Sequence, residues 1–520
     1  MGLIVDLFAG GGGASLGIKW ALGRDPDIAI NHDPQAVAVH QANHPTTRHF
    51  CQDVWRVLPT FATQGQPVDL LWASPDCKHH SRAKGGQPKD QNIRDLAWVV
   101  VEWARAVKPN LILLENVEEF RDWGPLDPDG YPIKDLAGTT FNMWVSQIRR
   151  AGYRVEYRLL HASDYGAPTI RKRLFLVARR DGLPIVWPEP THGPGRGHPY
   201  RTAAECIDWT IPCRSVFGRP KPLAENTLNR IAAGIGRFVL NCDEPYLLPY
   251  AQYQEALIHS NNEPMLFDAA AYSGSLDLSQ PPMVAPSLVG VGGRAGQSRP
   301  RGVHEQMATI TAKGDTALVS AFLAKHYKGV TDSILQHPHS LVATHLESMY
   351  GASTGASVCK PAPTITSHAH EALVASHITK FYGTAIGTKC AGPLHTITAN
   401  GEKMGLVASF LTKYYGSFSA GQDLYHPAAT ITANDRLGLV LVYVHGEPYV
   451  MTDIALRMLQ PRELFRAQGF PDSYIIDLEV NGKRLTKKDQ VRLCGNSVCP
   501  PNAEALVRAN AMHLIVNRAA

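Results

Sequence analysis

No apolar run in the 520-residue chain approaches the length of about 20 residues that a membrane helix needs, so no spanning segment is expected. The chain opens directly on GLIVDLF, leaving no stretch for a signal or transit peptide. Cysteine is scarce. The nine residues are odd in number and show no repeated Cys-x-x-Cys spacing, which argues against a disulfide framework and for reduced thiols. Charged residues are also few, at 19%, and the net excess is only +5. That balance permits a nucleic-acid partner without demanding one. A globular protein of the cytoplasm is the default expectation.

Residues 1–180 alternate short apolar runs with helical spacing. GLIVDLF, DIAIN, VDLLWAS, NLILLENV, YRVEYRLL and RLFLVAR read as strands, and AVAVHQAN and DLAWVVVEWARAV as helices. This alternation predicts an α/β fold with a doubly wound sheet, in which ligands bind beyond the carboxyl ends of the strands. The stretch 451–520 (TDIALRMLQPRELFRAQGF, PNAEALVRANAMHLIV) reads as helical and is expected to complete the layer begun by residues 1–181. Between them, residues 182–450 form an insert.

The insert opens on Pro, Gly, His and Arg (WPEPTHGPGRGHPYR), a long connection, followed by a helical segment, LAENTLNRIAAGIGRFVL. An internal repeat then appears: ATITAKGDTALVSAFLAKHYKG, PTITSHAHEALVASHITKFYG, HTITANGEKMGLVASFLTKYYG and ATITANDRLGLVLVYV. The Leu-Val pairs begin at Leu318, Leu341, Leu373, Leu406 and Leu439, so subtraction gives intervals of 23, 32, 33 and 33 residues. Such periods mean stacked supersecondary units, here β-rich and covering about 285–445. Three units set a lysine beside an aromatic (AKHYKG, TKFYG, TKYYG), a pairing suited to phosphates and sugar faces. In any single unit, a solvated lysine next to a core aromatic is the simpler reading.

DLFAGGGGASLG, residues 6–17, follows the first strand and opens a helix. Glycines let the backbone turn tightly and approach a ligand at a helix N-terminus. The spacing is not GxGxxG, so dinucleotide binding is an equal reading at this point. INHD offers Asn31 and Asp33 for a ribose, and CQDV offers Asp53 for an adenine amino group. Glu115 closes the strand ending in ENV, and Arg171 and Arg173 sit at alternate positions leading into a strand, hence on one face. WASPDCKHHSRAKGG sets Cys77 between an acid and a lysine. It is a nucleophile, a metal ligand with His79 and His80, or a loop cysteine. The metal reading fails on ligand supply, because adjacent histidines rarely point at one ion and no second pair follows at finger spacing. No metal is expected.

Together these motifs resemble the cytosine-C5 DNA methyltransferases, over about residues 3–180 and 451–512. DLFAGGGG is similar to the family's cofactor loop, SPDCKHHS to its nucleophile loop, ENV to its catalytic glutamate motif and RKR to its paired arginines. RELFRAQGFP and GNSV are similar to its two late motifs. The sequence departs from the family at Asp76 and Lys78, where Pro and Gln flank the cysteine, at Asn31, where a ribose-binding Glu stands, and at Thr169, where Gln precedes the arginines. The cations Lys78, Arg171 and Arg173 are expected to outweigh Asp76 and favour the thiolate of Cys77.

The resemblance implies a Rossmann-like methyltransferase sheet completed by C-terminal helices, with 182–450 as a large inserted target recognition domain. It implies S-adenosyl-L-methionine as cofactor, contacted by Asp6, Phe8, Gly10, Gly12, Gly13, Asn31, Asp33, Asp53, Asn496 and Ser497. It implies Cys77, Glu115, Arg171 and Arg173 as catalytic residues, with Cys77 adding to C6 of a flipped-out cytosine, Glu115 at N3 and the arginines at the ring oxygen. Double-stranded DNA is the expected partner, with a restriction endonuclease as a separate chain, a monomeric state and a bacterial cytoplasm, whether the gene is cellular or phage-borne. An RNA cytosine-C5 methyltransferase and a catalytically silent DNA-binding relative are the competing readings. Amino-group methyltransferases are disfavoured, because SPDC lacks their Asp/Asn-Pro-Pro-aromatic pattern.

Overall fold

The computed structural model describes residues 2–75, 95–211, 213–216, 219–221, 223–240, 245–249, 283–290, 299–312, 315–325, 345–348, 356–357, 371–374, 377–380, 388–389, 404–407, 441–444 and 447–516. The chain divides into two compact units. The first comprises the residues up to Ile207 with Val303–Asp315 and Leu459–Ala520, and the second Asp208–Gly302 with Thr316–Met458.

The first unit is built on β1 (Leu3–Leu7), β2 (Ile28–Asn31), β3 (Arg48–Cys51), β4 (Val68–Ala73), β5 (Leu111–Asn116), β6 (Arg154–His161) and β7 (Lys172–Arg179). Their order is β3-β2-β1-β4-β5-β7-β6. β1 to β5 pair in parallel, and β7 lies antiparallel between β5 and β6. Every residue of LILLEN in β5 is buried, as expected for a parallel strand covered on both faces. The strand order reverses between β1 and β4, and this is the switch point at which such sheets open a crevice.

Helices cover both faces: α1 (Gly13–Leu22), α2 (Pro34–Asn43), α3 (Pro59–Thr63), α4 (Trp98–Ala106) and α5 (Thr139–Arg150). One face packs the aromatic group Trp103, Phe120, Trp123, Phe141 and Trp144 against Leu71, Ile112 and Leu176. The other packs Ile4, Trp72 and Phe175 with Ile18 of α1 and with Ala503, Leu506 and Val507 of the C-terminal helix Pro500–Ala511. The C-terminal segment thus completes the layer that the N-terminal segment begins. A Cβ on Gly17 would stand 2.5 Å from the Ala503 Cβ, so the contact between the two helices requires glycine there.

Several elements differ from the sequence expectations. Thr452–Met458 is not helical; it belongs to the strand Glu447–Met458, because Ile454 and Leu456 alternate into the core of the second unit, and the helix starts only at Pro461. α5 was not among the expected elements, although Phe141, Trp144, Val145 and Ile148 have helical spacing. β3 is an edge strand with no fully buried residue, so its pattern carries no strand signal. The insert also begins later than residue 182. Trp187 Nε1 donates to Glu156 Oε2 at 3.1 Å and the Val186 amide to Asn510 Oδ1 at 3.0 Å, which ties residues 182–207 to the first unit.

In the second unit the strands in chain order are Arg214–Ser215 (β8), Leu248–Pro249 (β9), Met283–Gly290 (β10), Arg301–Gly302 (β11), Thr316–Lys325 (β12), His345–Ser348 (β13), Ala356–Ser357 (β14), Glu371–Val374 (β15), His377–Lys380 (β16), Thr388–Lys389 (β17), Met404–Val407 (β18), Leu441–Val444 (β19) and Glu447–Met458 (β20). The main sheet runs β11-β10-β12-β20-β19. Two three-stranded sheets, β14-β13-β15 and β17-β16-β18, share one pairing scheme: His345 opposite Val374 and Ser357, and His377 opposite Val407 and Lys389. Their strands begin 32, 32 and 33 residues apart by subtraction, matching the interval of the sequence repeat. Leu318, Leu373 and Leu406 lie in β12, β15 and β18, whereas Leu341 and Leu439 fall outside the described residues. Among the described residues no helix is long and apolar enough to cross a membrane.

Trp144 is fully buried, stacks in the aromatic group and donates Nε1–H to the Ala97 carbonyl at 2.8 Å. A Trp144→Ala variant should lose about 3–5 kcal/mol of first-unit stability by urea denaturation; a loss under about 1 kcal/mol would mean the cluster does not carry that face of the core.

Candidate functional site

β1 runs into a tight loop before α1. Phe8, Gly10 and Gly12 have φ of 60, 52 and 92°, and Gly12 caps the helix. A Cβ on Gly12 would stand 2.3 Å from the Tyr474 hydroxyl, and one on Gly13 2.2 Å from the Val498 carbonyl, so glycine is required at both. Beneath the loop, Asp6 is fully buried. Ser15 donates to its Oδ2 at 2.6 Å, while Oδ1 has no partner among the described residues. Burial pushes this carboxyl up to about 7, with the Ser15 hydrogen bond pulling the other way. An orphaned buried acceptor under a glycine cradle at the switch point fits a ligand bearing N–H or cationic groups.

Of the remaining expected cofactor contacts, Asn31, Asp33, Asp53 and Ser497 each hydrogen-bond the backbone through their side chains. Asn31 Oδ1 accepts from the Asp33 amide at 2.9 Å. Asp33 caps α2 through the Gln35 amide and pairs with Arg492. Asp53 Oδ1 accepts from the Trp55 amide at 3.1 Å, leaving Oδ2 for a ligand. Asn496 is exposed at the end of helix Lys487–Asn496, and Ser497 is buried with its hydroxyl on the Cys494 carbonyl at 2.7 Å.

Beyond β5, Glu115 Oε1 meets Arg173 Nε at 3.2 Å and Arg171 NH2 at 3.8 Å. Arg171 does more than approach the carboxylate. Its guanidinium is 3% exposed and donates to the carbonyls of Ile310, Gly495 and Ser497 at 3.4, 3.0 and 3.0 Å. Thr169 adds a hydroxyl to the Ala308 carbonyl at 3.2 Å, and the Ile170 amide bonds the Met307 carbonyl at 2.9 Å. Residues 303–315, the first TIT unit of the sequence repeat, therefore belong to the first unit. The structure separates the two arginines: Arg171 binds the carbonyls of two distant segments, whereas Arg173 donates NH1 to the carbonyl of its neighbour Lys172 at 2.8 Å and turns Nε to Glu115. β4 and β5 are parallel neighbours, and Asn116 Nδ2 reaches the Pro75 carbonyl at 3.2 Å. Cys77, with His79 and His80, lies outside the described residues, two positions beyond Pro75. Among the described residues no cluster of His, Cys, Asp and Glu could hold a metal ion.

Sequence reasoning did not single out the groups that line the back of the glycine loop. Ser15 Oγ is also 2.9 Å from His40 Nε2, and His40 Nδ1 is 2.8 Å from His49 Nε2. His44 Nδ1 is 2.8 Å from Asp25 Oδ1. Burial lowers the pKa of all three rings, most strongly at His40, where His44 and His49 add to the effect. These residues come from α1, α2 and β3, and no spacing in the sequence links them. Cys499 is buried near the arginines, and burial pushes its thiol up to about 11, which makes it a packing group rather than a nucleophile.

A doubly wound sheet with a glycine cradle at the switch point and a carboxylate–guanidinium cluster beyond β5 defines an α/β enzyme that works with a nucleoside-bearing cofactor. The C-5 cytosine-specific DNA methylase model matches residues 3–205 and 401–511, more than half of the chain, and the chain belongs to that family, whose cofactor is S-adenosylmethionine. The type II methyltransferase M.AquIA of Picosynechococcus is 27% identical over 235 residues, covering 40% of this chain and 88% of its own length. M.XorII of Xanthomonas oryzae pv. oryzae is 32% identical over 195 residues, 36% of this chain and 43% of its own. The DNA (cytosine-5)-methyltransferase 3 of Arabidopsis thaliana is 29% identical over 236 residues, 36% of this chain and 16% of its own. Apart from M.AquIA, the chain spans about half or less of the length of these relatives.

Gly12→Ala should abolish binding of S-adenosylhomocysteine measured by calorimetry, since its Cβ has no room, while Gly23→Ala, also at positive φ but in open space, keeps it at a cost of about 1 kcal/mol of stability. The histidines set an acid limit. In the unfolded chain they take up protons near 6.5, and in the folded chain only at lower pH, so their contribution is full above 6.5 and lost as pH falls. Asp6 opposes this, its contribution being full below 3.8 and lost as pH rises through about 7. In His40→Asn the fall in melting temperature from about pH 7 to pH 5 should be smaller than in the parent; an equal fall would exclude His40 as a source.

Proposed function

We propose that the chain is a DNA (cytosine-5)-methyltransferase that transfers a methyl group to C5 of a cytosine flipped out of a specific double-stranded sequence. The observation that carries this reading is Glu115. It is a buried carboxylate at the end of β5, with Arg173 on the same oxygen, one strand over from the β4 end that leads into SPDC. Its Oε1 is held in this ion pair without an aligned hydrogen bond among the described residues, in a nearly dry site where a ligand group could supply one.

In this reading the Cys77 thiolate adds to C6 of the pyrimidine, forming a C–S bond as electron density moves to C5. Glu115 holds N3; entering the step in its protonated form, it donates its proton to N3 as Cys77 adds and takes it back when Cys77 leaves. Arg173 stabilises the charge developing on the ring oxygen. Arg171 keeps the GNSV segment and residues 303–315 in place through their carbonyls. S-adenosylmethionine supplies the methyl group, and a base then removes the C5 proton so that Cys77 can leave. The reactive atoms are out of reach inside a duplex, so the base has to be everted. Residues 208–302 and 316–458 form the target recognition domain, in which the paired sheets β13–β15 and β16–β18 are its repeated elements. A restriction endonuclease on a separate chain and a bacterial cytoplasm suit this reading, since M.AquIA and M.XorII are type II methyltransferases of bacteria.

Expression in a host without cytosine methylation should raise 5-methylcytosine in its DNA, by nucleoside mass spectrometry, and Cys77→Ala should return it to background. Methylation of RNA alone would overturn the choice of substrate, and methylation that survives Cys77→Ala would overturn the nucleophile. Deleting residues 345–407 should leave cofactor binding intact and change the set of methylated sequences; an unchanged set would remove these sheets from recognition.

A further inference from the structure

We infer that Tyr474 is a positioning residue for the glycine loop, shaping it through one hydroxyl contact, while His44, held by Asp25, presents no proton to that hydroxyl from behind. The inference rests on the reading of Gly10–Gly13 as the cofactor loop. Tyr474 is 3% exposed and donates its hydroxyl to the Gly11 carbonyl at 2.6 Å. That carbonyl belongs to the peptide joining Gly11 to Gly12, whose amide returns to the Ala9 carbonyl at 3.0 Å. Turning the peptide would break both bonds. The loop is flanked by positive φ at Gly10 and Gly12, where glycine offers many alternative conformations, so an outside contact is needed to select one.

The tyrosine is itself held from several directions. Its carbonyl accepts from Arg462 NH1 at 2.8 Å and its amide donates to the Pro471 carbonyl at 3.1 Å. The next residue, Ile475, exchanges two 2.8 Å bonds with the Asn43 side chain. Its ring packs edge-on against Phe470 at 4.8 Å. On the far side, His44 Nε2 is 3.4 Å from the hydroxyl, and His44 Nδ1 is fixed by Asp25 at 2.8 Å. Asp25 in turn meets Lys19 Nζ at 3.0 Å and the Thr46 hydroxyl at 2.9 Å. The carboxylate selects the tautomer protonated on Nδ1, so Nε2 carries no proton toward the phenol. The single phenolic proton then goes to the closer acceptor, the Gly11 carbonyl.

The contact from Tyr474 to the loop carbonyl touches no reacting atom. Its effect is to hold the loop in its binding shape before the ligand arrives, which lowers the ordering cost of binding. Tyr474→Phe keeps the ring and removes only the hydroxyl. Calorimetry of the full chain with S-adenosylhomocysteine should show binding about fivefold weaker, with the melting temperature within a few degrees of the parent. In a methyl-transfer assay, KM for S-adenosylmethionine should rise by a similar factor while kcat at saturating cofactor holds within about twofold. His44→Gln, which leaves Tyr474 in place, should weaken binding by a smaller factor. Binding within twofold of the parent in Tyr474→Phe, or a fall in kcat with unchanged affinity, overturns the positioning role. A parent protein that binds neither cofactor form would instead refute the cofactor reading of the loop, and this inference with it.

Discussion

One buried guanidinium joins parts of the first unit that are far apart in the chain. Arg171 binds the carbonyls of Ile310, Gly495 and Ser497, so the turn leading into β7, a returning segment of the insert and the C-terminal GNSV stretch meet at one group. A charge at 3% exposure is costly unless it is paired and hydrogen-bonded. Here three carbonyls and the carboxylate of Glu115 at 3.8 Å supply those partners. The same contacts close the site around Glu115. The returning segment has little freedom, since a Cβ on Gly495 would lie 2.3 Å from the Ala312 nitrogen.

The glycine loop depends on a similar arrangement at the other side of the switch point. Its amides and the Asp6 carboxylate come from the N-terminal forty residues, but Tyr474 and Val498 close its back from the C-terminal segment. The glycine loop is thus enclosed only once the C-terminal helices have packed on α1. Stability and binding are coupled through this layer, because the residues that shape the loop also lie in the core between the two ends of the chain. The buried histidines tie that layer to pH, with His40 and His49 continuing the chain of hydrogen bonds from Asp6 and Ser15 toward solvent.

The two arginines show how neighbouring positions acquire different work. Both were placed on one face by strand alternation, and both do approach Glu115 Oε1. Their surroundings then separate them. Arg171 precedes β7, where backbone carbonyls of two incoming segments converge, whereas Arg173 lies within the strand and has its Nε turned to the carboxylate. The charge pattern alone could not distinguish a clamp on backbone carbonyls from a group paired with Glu115.

The strands β1, β2, β4, β5, β6 and β7 were legible in the sequence, and so were the strand-end positions at which the candidate residues stand. Period and apolar runs report local burial, and a doubly wound sheet puts its ligand residues at strand ends. The repeat interval was legible too, because it is a property of spacing. The strand nature of Thr452–Met458 was not, since a run beside a true helix can satisfy either period until its partner, β12, is known. Nor were the attachment of residues 303–315 to the first unit, the clamp at Arg171, or the grouping of Asp25, His44 and Tyr474 behind the glycine loop. Each joins residues between about 20 and 450 positions apart through backbone carbonyls or single hydroxyls. Local pattern carries no record of such partners; only the packed tertiary structure chooses them.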